Sequence, residues 1–371
     1  INGHGLNGFS FKNKTVINCQ NSGTLMRLFG SLVCKSKNSV ILKGDQSLSK
    51  RPLRIKEMLN QFGVNVKSYN NKLPIEIFGT DFLRPIEYRE MTGSAQKKTL
   101  CLLCALSTPK NSVSKIIAKP SRDHTEKMFK YLKIPIKLKK KGQYDFIEIK
   151  GGYQHSGFIQ KIPGDISSAS FFICLTLLSK NSKIIIKNVN VNKTRTGIID
   201  LAKKICPSSI KIINKKKING EDVADIHVKS SKRFNAIKPK PTINSKVIDE
   251  WPLIFLMASK SSGISFFKGI EELAYKESNR LKVCANFLKQ IGIKVIEKKD
   301  SLKIYGNPNL KLNKNIIVKN FMKDHRIFMM SCIAALTLVE GKSFRINDKE
   351  SINSSFPSFL NLIKKIGAKI N

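Results

Sequence analysis

Ile55-Lys56-Glu57-Met58-Leu59-Asn60-Gln61-Phe62-Gly63-Val64-Asn65-Val66 joins two periodicities in one short stretch. Apolar residues recur at helical spacing as far as Phe62, Gly63 interrupts, and Val64 and Val66 then alternate with a polar neighbour. This predicts an amphipathic helix, a glycine that accepts a left-handed backbone at its end, and a half-buried strand. The same pattern returns at residues 281–288 with Ile291-Gly292-Ile293-Lys294-Val295, and at 359–363 with Ile366-Gly367-Ala368-Lys369-Ile370. Weaker copies stand at 125–132 with Ile134-Pro135-Ile136 and at 197–205 with Ile210-Lys211-Ile212. A more apolar helix precedes each copy, beginning near Ser22, Ser94, Asp165, Asp249 and Asp324, at steps of roughly 70 to 85 residues. Each unit reads as strand, buried helix, strand, surface helix, strands, an α/β arrangement. A break at residues 178–182 sets the expected domain boundary, giving lobes 1–182 and 183–371.

The 371 residues suffice for two domains, and 41% hydrophobic with 25% charged residues is ordinary for a folded soluble chain. No apolar run approaches the roughly 20 residues that span a bilayer, and the first residues lack the pattern of a secretory signal. The formal net charge of +41 is nearly all lysine, spread along the chain with abundant Asn and Ile, as a codon bias toward A and T produces. Dense runs occur only at 137–141 and 215–217, without interleaved aromatic residues, so a solvated basic surface is expected rather than a nucleic-acid platform. The eight cysteines lie mostly in apolar helical stretches. Cys101 and Cys104 have no second pair to make a zinc or redox motif, so buried thiols in a cytoplasmic protein are expected.

Three buried helices begin in small, polar, glycine-containing segments: Asn21-Ser22-Gly23-Thr24, Thr92-Gly93-Ser94-Ala95-Gln96 and Pro163-Gly164-Asp165-Ile166-Ser167-Ser168. Such ends cap a helix, and they also offer backbone N–H groups and a favourable dipole to an anion. Arginine is scarce beside lysine, so retained arginines point to planar, bidentate binding of phosphate or carboxylate. Arg27, Arg51, Arg122, Arg280 and Arg326 each stand in a small polar motif; Arg54, Arg89 and Arg233 read as surface charges.

Asn21-Ser22-Gly23-Thr24-Leu25-Met26-Arg27-Leu28 resembles the phosphoenolpyruvate loop and helix of the 5-enolpyruvylshikimate-3-phosphate (EPSP) synthase family. The likeness continues through Gly44-Asp45-Gln46-Ser47-Leu48-Ser49-Lys50-Arg51-Pro52, Gly93-Ser94-Ala95-Gln96, Ser121-Arg122-Asp123-His124-Thr125-Glu126 and Pro163-Gly164-Asp165-Ile166-Ser167-Ser168-Ala169. It extends to Asp249-Glu250-Trp251-Pro252, Lys276-Glu277-Ser278-Asn279-Arg280-Leu281, Asp324-His325-Arg326 and Ser355-Phe356-Pro357. The segments around Ser94 and Ser121 are similar to the class II branch. Gln20 stands where a glycine is common, Asn279 where an aspartate is, and 353–357 lacks a lysine that some members carry, so no ligand is assigned there.

The resemblance implies an inside-out α/β barrel fold of two domains, built from βαβαββ units and closing around the substrates. It also implies that a first unit with a Lys-Ser-x-x-x-Arg loop belongs upstream of Ile1. The implied activity is transfer of the enolpyruvyl group of phosphoenolpyruvate to the 5-hydroxyl of shikimate 3-phosphate, by a cytoplasmic monomer without metal or organic cofactor. By resemblance Gly23, Arg51, Gln96, Arg280 and Arg326 hold phosphoenolpyruvate. Ser94, Ala95, Gln96, Ser121, Arg122, Asp249 and Lys276 hold shikimate 3-phosphate. Asp249 and Glu277 carry the proton transfers; read without the resemblance, they are a helix cap and a solvated first-turn carboxylate. His124 and His325 read as structural hydrogen bonders. The alternatives are the related transferase acting on UDP-N-acetylglucosamine, and an inactive fragment or basic binding protein.

Overall fold

Short strands with alternate residues buried and apolar helices with capped ends build a repeated unit in this protein. The computed structural model describes residues 2, 5–6, 8–51, 53–318 and 323–370; Pro52, at the end of one quoted motif, lies outside them. The chain forms two units, Ile1–Lys161 with Asn219–Glu221, and Ile162–Ile218 with Asp222–Asn371.

In the first unit β1 (Thr15–Asn18), α1 (Gly23–Leu32), β2 (Val40–Lys43), α2 (Gln46–Ser49), α3 (Lys56–Gln61), β3 (Asn65–Ser68) and β4 (Ile75–Phe78) make one repeat. The elements β5 (Glu87–Glu90), α4 (Ala95–Leu106), β6 (Val113–Ala118), α5 (His124–Tyr131), β7 (Ile136–Lys141) and β8 (Tyr144–Lys150) make the next. Their sheets have the same order, β1-β2-β4-β3 and β5-β6-β8-β7, each opening with a parallel pair and closing with an antiparallel hairpin. The buried helices α1 and α4 pack on each other between the sheets' apolar faces, and one hydrophobic cluster from Cys19 to Ile149 forms this unit's core.

The second unit runs α6 (Ile166–Leu178), β9 (Lys183–Asn190), α7 (Gly197–Ile205), β10 (Ile210–Ile218), β11 (Glu221–Lys229), α8 (Asn244–Val247), α9 (Trp251–Ser259), β12 (Ile264–Lys268) and α10 (Arg280–Gln290). It continues through β13 (Val295–Lys298), β14 (Ser301–Tyr305), β15 (Ile316–Val318), α11 (His325–Leu338), β16 (Phe344–Ile346) and α12 (Phe359–Lys365). Two of its repeats keep the hairpin, in sheets β10-β11-β9 and β12-β14-β13, while the first strand shrinks to a parallel bridge, Gly164↔Val189 and Asn235↔Ser262. The last repeat keeps the parallel pair β15 and β16. The strand expected at 366–370 does not form: the glycine turn is present, but those residues join no ladder.

The units divide at Lys161, earlier than the boundary expected at residue 182. The reason is α6, where every residue except Ser168 is buried. A helix apolar on all sides needs neighbours all round, and α6 finds them in α9 and α11 of the second core. Trp251 stacks on Phe255 in that core, with ring centroids 5.5 Å apart. All eight cysteines are buried and unpaired by disulfides. Both lysine runs lie on terminal strands of their sheets, 137–141 in β7 and 215–217 in β10, and those lysines are exposed.

The helix-to-strand turn repeats in atomic detail. After α3 the Gly63 N–H donates to the Asn60 carbonyl and Val64 N–H to Leu59 (3.0 Å); after α10 Ile293 N–H donates to Leu288 (2.9 Å); after α5 Ile134 N–H donates to Phe129 (2.8 Å). The left-handed residue is Gly63 (φ +93°) or Gly292 (φ +86°) in the first two, but Lys133 (φ +58°) in the third. A Cβ at Gly292 would meet nothing within 4 Å, so only backbone conformation opposes a side chain there. Gly292→Ala is therefore expected to destabilise by about 1 kcal/mol, and Lys133→Gly to stabilise by up to about 1 kcal/mol, in urea unfolding. Equal stability of all three chains would contradict this account.

Candidate functional site

In the first unit the loops that matter leave the C-terminal ends of adjacent parallel strands. After β1 and β2, the Asp45 N–H donates to the Gln20 carbonyl (2.8 Å), which brings 20–23 beside 44–51. Gln20 has a left-handed backbone (φ +47°), which explains why glycine suits that position. Ser22 caps α1, its Oγ accepting from Leu25 N–H (3.1 Å), and Gly23 opens the helix. Arg27 turns back over this end, donating to the Gly23 carbonyl (3.1 Å) and to Gln96 Oε1 (2.7 Å); Gln96 Nε2 donates to Thr24 Oγ1 (2.6 Å). Arg51 donates to Asn21 Oδ1 (2.6 Å) and Ser47 Oγ (3.0 Å). Burial, together with the positive charges of Arg51 and Arg54, lowers the pKa of Arg27. No carboxylate among the described residues pairs with Arg27 or Arg51, so this is a gathering of positive charge held by neutral partners.

After β5 and β6 the arrangement repeats. Ser94 caps α4, and Ala95 and Gln96 form its first turn. The Lys119 N–H donates to the Glu90 carbonyl (3.0 Å), so the segment leading to Ser121 and Arg122 runs beside the segment leading to Ser94. Ser121 is 8% exposed and its hydroxyl finds no partner among the described residues, an orphan polar group that a bound ligand would satisfy. Arg122 is half-buried just before α5. Lys98 and Glu126, both buried, tie α4 to α5 at 2.5 Å, and Thr99 and Thr125 share a hydrogen bond of 2.7 Å. His124 pairs with Glu221 at 2.6 Å, a structural contact as expected.

The second unit centres on Arg280, which is 1% exposed. Its Nε and Nη2 grip both oxygens of Asp324 (2.9 and 3.3 Å), Nη2 also meets Glu277, and Nη1 lies 3.4 Å from Asp249. Asp249 in turn faces three cations: Arg280 at 3.4 Å, Arg326 at 3.8 Å and Lys276 at 4.0 Å. Burial alone would raise the pKa of Asp324 and Glu277, but the Arg280 guanidinium outweighs it and leaves both below their ordinary values. Burial works against the charge of Arg280, and Asp324, Glu277 and Asp249 together more than offset it. His325 is pushed down to about 4 by burial and by Arg326, so its imidazole is neutral at neutral pH.

Asp249 does not cap α9: Glu250 occupies that place, and its carboxylate instead accepts from Ser167 (2.5 Å), which accepts from Arg195 (2.7 Å). Glu277 is no solvated first-turn carboxylate either, because Asn279 caps α10 and Glu277 precedes it, drawn onto Arg280. Gly23, Arg51, Ser94, Ala95, Gln96, Ser121 and Arg122 all lie in the first unit, where Arg27 ties Gly23 to Gln96, and Asp249, Lys276, Glu277, Arg280 and Arg326 lie in the second, linked through Arg280 and Asp249. Sequence reasoning singled out Arg27 among the anion-binding arginines and Asp324 as a helix start, without assigning either to a substrate, and gave no role to Arg195 or Glu250. No group of three or more His, Cys, Asp or Glu that could hold a metal ion occurs among the described residues.

The family model for EPSP synthase (3-phosphoshikimate 1-carboxyvinyltransferase) matches residues 1–363. A 3-phosphoshikimate 1-carboxyvinyltransferase of Petrotoga mobilis is 36% identical over 370 residues, covering 99% of this chain and 83% of the relative. The EPSP synthase of Acinetobacter baumannii superposes with a TM-score of 0.79 at 30% identity, over 96% of this chain and 80% of that one. The enolpyruvyl transferase NikO of Streptomyces tendae shares the fold, with a TM-score of 0.66 at 14% identity over 92% of this chain and 76% of its own.

Below about pH 6.5 the unfolded chain takes up a proton that native His325 refuses until about pH 4, so stability falls as pH drops through that window. Glu277 and Asp324, with lowered pKa values, add a loss of the same sign below the ordinary carboxylate range. His325→Gln is expected to flatten the loss of urea midpoint between about pH 7 and about pH 5. An identical loss in variant and wild type would remove His325 from the explanation.

Proposed function

The chain belongs to the EPSP synthase family, and on that premise we propose that it transfers the enolpyruvyl group of phosphoenolpyruvate to the 5-hydroxyl of shikimate 3-phosphate, releasing phosphate. Both substrates are anions that repel each other, and cationic groups must neutralise them before they can be held in reacting geometry. Ser94, Ala95, Gln96, Ser121 and Arg122 take the shikimate phosphate side, with Asp249 and Lys276 toward its hydroxyls. Gly23, Arg51, Gln96 and Arg326 take phosphoenolpyruvate. Arg280 contributes to that binding only if the substrate carboxylate displaces part of its pairing with Asp249 and Glu277, because its donors already meet three carboxylates.

The observation that carries the reading is the carboxylate of Asp249 with three cations within 4.0 Å, a proton acceptor set among groups suited to anions. Asp249 takes the proton of the 5-hydroxyl as its oxygen adds to C2 of phosphoenolpyruvate and C3 gains a proton. In the second half C3 loses a proton and the C2–O bond to phosphate breaks, which restores the double bond and frees inorganic phosphate. Glu277 is ionised near neutral pH, because Arg280 lowers its pKa. That suits it to accept the C3 proton in elimination; to donate in the addition it must first take up a proton against Arg280. We further propose that the chain acts as a cytoplasmic monomer. No helix among the described residues is long and apolar enough to cross a membrane.

Phosphate release from phosphoenolpyruvate is expected with shikimate 3-phosphate as acceptor and not with UDP-N-acetylglucosamine. Asp249→Asn should lower kcat by about 10²- to 10⁴-fold, the usual worth of a general acid or base. Transfer to the nucleotide sugar, or an Asp249→Asn chain with undiminished kcat, would overturn the assignment.

A further inference from the structure

Glu90 closes β5 and is 1% exposed, an unusual place for an acid. Its Oε2 accepts from Ser94 N–H at 2.9 Å. Its Oε1 accepts from Thr92 N–H at 3.1 Å and also from the Thr92 hydroxyl. Lys97, itself buried, reaches back from the first turn of α4: its ammonium lies 3.8 Å from Glu90 Oε1 and donates to Thr92 Oγ1 at 3.2 Å. The carboxylate thus closes a ring around Thr92, Gly93 and Ser94, where Gly93 has a left-handed backbone (φ +70°). The backbone carbonyl of Glu90 accepts from Lys119 N–H, two residues before Ser121.

We propose that Glu90 is a positioning residue for the acceptor's phosphate, and that Lys97 is the counter-charge that makes a carboxylate tolerable there. The proposal rests on the reading that Ser94, Ala95 and Ser121 bind shikimate 3-phosphate. A loop that receives a phosphate must present its N–H and hydroxyl groups already aimed, because groups that have to be ordered on binding subtract from affinity. Glu90 supplies that order from beneath: its side chain fixes the chain just before Ser94 and its backbone fixes the chain just before Ser121. A bare carboxylate beside a phosphate would repel it. The Lys97 ammonium offsets this, so the brace and its neutralisation come as a pair.

The experiment compares the wild type, Glu90→Gln and the double variant Glu90→Leu/Lys97→Leu in the full chain, measuring KM for each substrate, kcat and Tm. Glutamine keeps one acceptor oxygen and turns an N–H toward one of the two donors. The KM for shikimate 3-phosphate is then expected to rise about tenfold, with the KM for phosphoenolpyruvate changing by less than about threefold. The double variant removes both charges of the buried pair together, so no charge is left unpaired, while the Thr92 and Ser94 N–H groups lose their acceptor. It should fold with a Tm modestly below that of the wild type and show a rise of about 10²-fold in the same KM. A double variant with the wild-type KM for shikimate 3-phosphate would overturn the proposal. So would equal rises in both KM values, the mark of a merely structural part. A wild-type chain with no transfer to shikimate 3-phosphate would instead sink the functional reading, and the proposal with it.

Discussion

Two parallel strands cannot be joined by a tight turn; a helix has to carry the chain back to the starting edge of the sheet. In this protein that constraint is met again and again, between β1 and β2, β5 and β6, and β15 and β16. Each crossover helix begins where its first strand ends, so its unsatisfied N–H groups open at the C-terminal edge of the sheet. The segment after the second strand leaves from the same edge. Helix start and following loop are therefore neighbours by construction, and the residues on them need only the right side chains. Asn21 and Arg51 meet in this way, as do the segments that lead to Ser94 and Ser121.

The two units treat charge differently. In the first, arginines gather around neutral partners, an arrangement with net attraction left over for an anion. In the second, Arg280 is ringed by Asp324, Glu277 and Asp249, and the more accessible Lys276 and Arg326 bring the cluster to three cations against three carboxylates. Removing Asp324, whose two oxygens take Nε and Nη2 of Arg280, would leave a buried guanidinium without its bidentate partner, which is far more damaging than losing an exposed ion pair.

The repeat was legible because each part of it is written locally. The glycine after α3 and α10, the alternation in β3 and the caps Ser22, Ser94, Asp165 and Asp324 depend on neighbours within one turn. What was not legible depends on distance along the chain. Asp324 lies 44 residues from Arg280, and Ser167 lies 83 from Glu250, so no window reveals that they touch. Glu90 at the end of a strand looks like any solvated charge until the fold closes over it. The misplaced boundary has the same origin: the sequence marks α6 as apolar, but not which neighbours its apolar faces will find.

The lysine runs acquire a meaning from the strands that carry them. The last strand of a sheet has a free row of N–H and C=O groups that another chain can extend. On β7 and β10 that row is fringed with ammonium groups, so a second copy approaching it meets like charge before it can form a hydrogen bond. Such a guard is electrostatic, and it weakens as the screening length shrinks from about 10 Å at 0.1 M salt to about 3 Å at 1 M. The basicity that suggests a polyanion partner then serves colloidal stability, with an ionic-strength limit beyond which these edges become available for aggregation.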